Sequence, residues 1–162
     1  MRTVFGQMVP DDQMTRPVEV DQVYIGGLEN TLRRSFTPEG RPVGKTAMVG
    51  TREPGHRRVV VRVVSDTQAD TACQEFVEER SVPNVPLYTG GATAYNGLEN
   101  REAVHHSVGE YVRCQAHTNG MESFWATLKR AHKGVFHRMS PKHLQGYGAE
   151  FAGRHNGELV HI

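Results

Sequence analysis

Cysteine is scarce in this 162-residue chain: Cys73 and Cys114 are its only two, 41 positions apart. That spacing excludes a Cys-x-x-Cys zinc ribbon and a disulfide framework, and it suits reduced thiols in a cytoplasmic compartment. Long apolar runs are missing too. No window reaches the roughly 18 to 20 apolar residues of a membrane span, and the opening MRTVFGQMVPDD meets two aspartates before a signal peptide could form. Net charge is nearly absent, with 19 Lys plus Arg against 18 Asp plus Glu. This argues against a generic polyanion-binding tail but leaves the distribution of charge open. The length suits one core of the common domain size, about 100 to 150 residues, rather than a two-domain enzyme.

Residues 1–17 show little periodicity and read as a poorly structured lead-in, with a core domain over 18–156 and a tail over 157–162. Val18 to Ile25 (VEVDQVYI), rich in β-branched residues and closed by Gly26-Gly27, predicts a strand and turn. Residues 28–44, broken by Pro38, Gly40, Pro42 and Gly44, predict a loop. Lys45 to Thr51 and Arg58 to Val64 predict a hairpin around Glu53-Pro54-Gly55-His56. Over Thr67 to Arg80 the period becomes helical through Ala69, Ala72, Cys73, Phe76 and Val77, with Ser65 or Asp66 as cap. Val85 to Thr89 predicts a buried strand, followed by a brief helix over 92–98 and a strand over 103–108.

A long helix is expected from His117-Thr118-Asn119, its stripe made by Met121, Phe124, Trp125, Leu128 and His132, with an interruption at Gly134. Ser140-Pro141 signals a last helix through about His155, with Leu144, Tyr147, Phe151 and Ala152 as its apolar face. Gly146, Gly148 and Gly153 would weaken that helix, each by about 0.5 to 1 kcal/mol relative to alanine. The pattern is that of an α/β fold, a mixed sheet flanked by helices.

Asp21 falls inside the first strand, where a buried acid needs a partner. Either it ligates a divalent metal or it shares a solvated face with Glu19, since positions 19 and 21 point to the same side. Glu122 and Lys129, seven residues apart, share a helix face with Asn119. They could hold a metal and a DNA phosphate, or Asn119 and Glu122 could form a capping box beside a solvated lysine. Basic residues cluster despite the small net charge. Between Arg33 and Arg62 there are eight (Arg33, Arg34, Arg41, Lys45, Arg52, Arg57, Arg58, Arg62) against two acids, and from Ser123 to Ala149 five (Lys129, Arg130, Lys133, Arg138, Lys142) against none. Such segments suit a nucleic-acid backbone, although solvated surface also looks like this. No metal spacing links His105, His106, His117, His132, His137 and His143.

Three segments carry a specific resemblance: VEVDQVYIGG at 18–27, LYTGGATAYNGL at 87–98, and HTNGMESFWATLKRAHKGVFHRMSPKHLQGYGAEFAGRHN at 117–156. Together they resemble the ISXO2-like transposase domain of the IS1595 family of bacterial insertion sequences. The resemblance implies a ribonuclease-H-like core of the DDE superfamily, in which acids from the first strand, the fourth strand and a late helix hold two Mg²⁺ or Mn²⁺ ions. It implies DNA transposition by phosphodiester hydrolysis and strand transfer on double-stranded DNA, with a homo-oligomer assembled there. Carried over, Asp21 is the first acid, Glu122 the helix acid with Asn119 as the weaker candidate, and Lys129 the basic residue that follows. Arg33, Arg34, Arg57, Arg58, Lys129, Arg130, Lys133, Arg138 and Lys142 are the candidate DNA contacts.

The second acid is where the chain departs from the family pattern. Gly90 follows Tyr88-Thr89 where an aspartate is expected, and glycine has no side chain to ligate a metal. Asp66 and Asp70 follow a different strand. The reading is a transposase core with impaired chemistry, the alternatives being a noncatalytic DNA-binding or protein-interaction remnant and a nuclease in which another acid replaces position 90.

Overall fold

The computed structural model describes residues 13–26, 45–56, 58–64, 69–104, 118–136 and 139–157. Strand β1 (Val18–Ile25) is the centre of the sheet, and its alternation sorts the two faces. Val18 and Val20 enter one core with Cys73, Phe76 and Val77, while Val23 and Ile25 enter another with Met121, Phe124, Trp125 and Leu128. Residues two apart on a strand share a side, so Glu19 and Asp21 belong to the second face.

Strands β2 (Thr46–Arg52) and β3 (Val59–Val64) form the expected hairpin, antiparallel to β1 and to each other. Strands β4 (Leu87–Gly90) and β5 (Arg101–Val104) add in parallel on the other side, giving the order β3-β2-β1-β4-β5. Helix α1 (Ala69–Arg80) covers the first face, and helices α2 (Asn119–Ala131) and α3 (Pro141–Asn156) cover the second. This is the mixed α/β sheet flanked by helices that the sequence pattern predicts, in an arrangement consistent with a ribonuclease-H-like domain.

Strand β3 is an edge, and an edge exposes unpaired backbone groups. Helix α3 covers it with two side-chain amides. Gln145 accepts from Val63 N–H at 2.7 Å and donates to Val61 C=O at 3.1 Å. Asn156 does the same for Val59, at 2.7 and 3.1 Å.

Several expectations change in detail. The brief helix shrinks to one 3₁₀ turn at Thr93–Tyr95, and β5 begins earlier than expected, at Arg101. Gly134 marks the expected interruption, three residues after the α-helix stops at Ala131. It sits in a π-turn, His132–Phe136, that continues α2 and is anchored where Phe136 packs edge-on against Tyr147, with ring centroids 4.8 Å apart. Gly148 is more than a weak point in α3, because a Cβ there would meet Met48 Sδ at 2.9 Å and Val61 Cγ2 at 2.9 Å. Glycine is what lets α3 close on the sheet. Before β1, Met14 is 1% exposed and bridges to Ser81, with its N–H bonded to Arg80 C=O at 2.6 Å. The cap residues Ser65 and Asp66 and the end of the strand expected over 103–108 lie outside the described residues.

Candidate active site

The parallel register Val18↔Leu87, Glu19↔Tyr88, Val20↔Thr89 brings Asp21 level with Gly90, the last residue of β4. Across the other edge of β1, Asp21 pairs with Gly50. Both neighbours of this half-buried aspartate are therefore glycines, used differently. A Cβ on Gly50 would meet Met121 Cε and, at 2.8 Å, Trp125 Cζ2, so α2 rests directly on that backbone. Among the described residues, a Cβ on Gly90 would meet no heavy atom within 4 Å.

Helix α2 is seated by a residue that the strand pattern alone leaves on a solvated face. Glu19 is 0% exposed. Its Oε2 accepts from Met121 N–H and its Oε1 from Arg52 Nη1, both at 2.9 Å. A carboxylate on a helix's first N–H groups does the work of a cap and complements the helix dipole. The Asn119/Glu122 capping box does not form. The cap position is Thr118, and its hydroxyl donates to Glu122 Oε1 at 3.0 Å instead of receiving a backbone N–H. Exposed Glu122 follows Met121 in the first turn of α2, so Asp21 and Glu122 lie on the same side of the sheet.

The β4 terminus is held from β5. Arg101 donates to Thr89 Oγ1 at 2.8 Å, to Gly90 C=O at 3.1 Å, to Ala92 C=O at 3.4 Å and to Asn96 Oδ1. Tyr95, in the turn that follows, is fully buried, and burial pushes its phenol well above the usual range, with the charge of Asp21 adding to the shift. Burial, then the charge of Glu102, also pushes the Tyr88 phenol up.

Charge is divided between the faces. On α1, Glu75, Glu78 and Glu79 are exposed, and the Arg62 guanidinium lowers the carboxyl of Glu79 through a 2.6 Å ion pair. Arg62 and Arg52 are thus engaged within the molecule. On the opposite side, Lys129, Arg130, Lys133 and Lys142 are exposed along α2, the π-turn and the start of α3. Arg58, just before β3, is half-buried. Asn119 is exposed at the start of α2. Arg33, Arg34, Arg57 and Arg138 lie outside the described residues, as do Asp66, His105, His106, His117 and His137.

Asp21 and Glu122 offer hard carboxylate oxygens suited to a divalent cation. Gly90 offers none. Among the described residues no group of three or more His, Cys, Asp or Glu side chains is placed to hold a metal ion. Asp70 belongs to α1 on the far face of the sheet and is no substitute at this corner. Among the described residues no helix is long and apolar enough to cross a membrane.

Sequence reasoning does not single out Glu19, Thr118 or Arg101 as site residues, and it counts Arg52 only among the basic residues. The one signal for Glu19 is its place in a strand, two residues before Asp21; Thr118 is marked only as part of a helix start, and nothing local marks Arg101.

Comparison with known proteins fits this architecture. The family model described as the ISXO2-like transposase domain matches residues 13–156. An uncharacterized protein in transposable element ISH50 of Halobacterium salinarum is 27% identical over 149 residues, covering 78% of this chain and 49% of that protein. The chain thus spans about half the length of that relative. No solved structure matches it. The family match over most of the chain makes this chain a member of the ISXO2-like transposase domain family.

Proposed function

We propose that this chain is the ribonuclease-H-like core of an insertion-sequence transposase, working on double-stranded DNA in the cytoplasm and assembling there as a homo-oligomer. Its phosphodiester chemistry is impaired at position 90. One observation carries the reading: the β1/β4 register sets Asp21 beside Gly90, and α2, docked on Glu19, brings Glu122 to the same side.

In this reading Asp21 and Glu122 are the surviving acids, and Asn119 adds an amide at the start of the same helix. When bound, Mg²⁺ or Mn²⁺ supplies activation of the attacking water or 3′-hydroxyl and neutralises charge on the phosphodiester. Asp21 and Glu122 would hold one such ion through their carboxylate oxygens; without a side chain at Gly90 the donor set falls short of two. Lys129, two helical turns beyond Glu122, meets a DNA phosphate, and Arg130, Lys133 and Lys142 extend that interaction. The acidic surface of α1 turns the duplex away, so DNA lies across the α2 and α3 side. Arg33, Arg34, Arg57, Arg58 and Arg138 add further bonds to the DNA backbone.

The test is nicking of supercoiled plasmid in Mg²⁺ or Mn²⁺. The native chain is expected to nick feebly or not at all, Gly90→Asp to nick, and Gly90→Asp combined with Asp21→Asn to lose the gain. Equal nicking by the native chain would mean that another acid serves the site. Failure of Gly90→Asp while DNA binding persists would favour a noncatalytic remnant.

A further inference from the structure

The end of β4 carries more organisation than a glycine in a strand terminus requires. Arg101, paired with Leu87 across the β4/β5 ladder, directs four hydrogen bonds into the stretch from Thr89 to Asn96. Two of them bracket position 90, one to its own carbonyl at 3.1 Å and one to the neighbouring Thr89 hydroxyl at 2.8 Å. That hydroxyl in turn donates to Gly90 C=O at 2.9 Å. The Gly90 carbonyl is therefore gripped by two donors.

Thr89 is level with Val20 and Gly90 with Asp21, so the grip comes through the face opposite Asp21. Fixing the carbonyl fixes the peptide plane, and with it the direction a Cβ would take. Among the described residues that direction is open, with nothing within 4 Å. A planar guanidinium can hold several acceptors in one geometry, whereas a lysine ammonium cannot reproduce the fork.

We infer that Arg101 is a positioning residue for the second-acid corner, holding position 90 so that a carboxylate restored there enters the metal site of Asp21 and Glu122 without rearrangement. The inference rests on reading position 90 as that corner. Arg101 acts through the backbone and touches no reacting group.

Calorimetric titration with Mn²⁺ on the full chain tests it. Gly90→Asp should tighten Mn²⁺ binding by about 10-fold or more, and Arg101→Lys added to it should take back about 10-fold, the usual scale for residues that orient a ligand from behind. In the Gly90 chain Arg101→Lys should leave Mn²⁺ affinity within about 2-fold, the ordinary error of additivity. Asn96→Ala, which removes one arm of the grip, should take back a smaller part of the gain and remain folded by circular dichroism. An undiminished gain in the double variant, or equal weakening in both backgrounds, overturns the role of Arg101 alone. If Gly90→Asp tightens nothing, position 90 is not a metal corner, and both this inference and the proposed function fall.

Discussion

Glu19 and Met121, 102 positions apart in sequence, are joined by a buried hydrogen bond in which the carboxylate of β1 accepts the backbone N–H of α2 at 2.9 Å. The same carboxylate holds Arg52. This is how the strand bearing Asp21 and the helix bearing Glu122 are registered to each other, and Gly120 is part of the joint because a Cβ there would strike the Arg52 guanidinium and come within 2.7 Å of Glu19 Oε2.

Removing the acid should be costly. Glu19→Ala strands Arg52 and the Met121 N–H; loss of one partner of a fully buried ion pair costs about 3 to 5 kcal/mol, and Arg52, 21% exposed, recovers part of that from water. Glu19→Gln keeps an acceptor in place and should lose less. Urea denaturation of the three proteins checks the order.

Gly50 makes a steric prediction. Its Cα supports the Trp125 ring, which is 3% exposed and cannot swing aside. Gly50→Ala should therefore destabilise by about 1 to 3 kcal/mol, the range for overpacking a filled core. A thermal melt should show it, with a larger loss than for Gly90→Ala, where the added methyl meets none of the described residues within 4 Å.

Tyr95 carries a buried hydroxyl with no hydrogen-bond partner and a phenol pushed well above its ordinary 10.0 by burial. The folded state holds that proton more tightly than the unfolded chain does. Its contribution is therefore intact below pH 10 and is lost as pH rises from the unfolded value through the folded one. Tyr95→Phe should flatten this alkaline loss and, by removing an unsatisfied polar group, hold or raise stability at pH 7 by about 1 kcal/mol. Denaturation midpoints from pH 7 to 11 test both parts.

The basic strip predicts a salt effect. Replacing Lys129, Arg130 and Lys133 by Gln should weaken DNA binding almost equally for all sequences, and the slope of log K against log salt should fall by about one for each phosphate left without its cation. Fluorescence anisotropy on a random duplex at several salt concentrations is sufficient. The same changes at Glu75 and Glu78 on the α1 side should not weaken binding.

What is legible in the sequence is what short-range pattern encodes. β-branched alternation marks β1, the spacing of Met121, Phe124, Trp125 and Leu128 marks α2, and Ser140-Pro141 marks the start of α3. The failures are long-range. Glu19 looks solvated beside Asp21 because alternation gives the side of a strand but not what covers it. The same limit hides the Arg62–Glu79 pair, which takes one residue out of the basic segment, and Gly148, whose value lies in the distance to Met48 and Val61. At the candidate site, Asp21, Gly90 and Glu122 are readable as motif positions, whereas the Arg101 grip depends on β5 lying beside β4.

The most direct measurement is an anomalous-scattering crystal structure of the Gly90→Asp chain soaked in Mn²⁺. Manganese is expected on the carboxylates of Asp21 and Glu122 together with the one introduced at position 90. Manganese absent from those residues, or bound with Glu122 turned away from Asp21, would contradict this expectation.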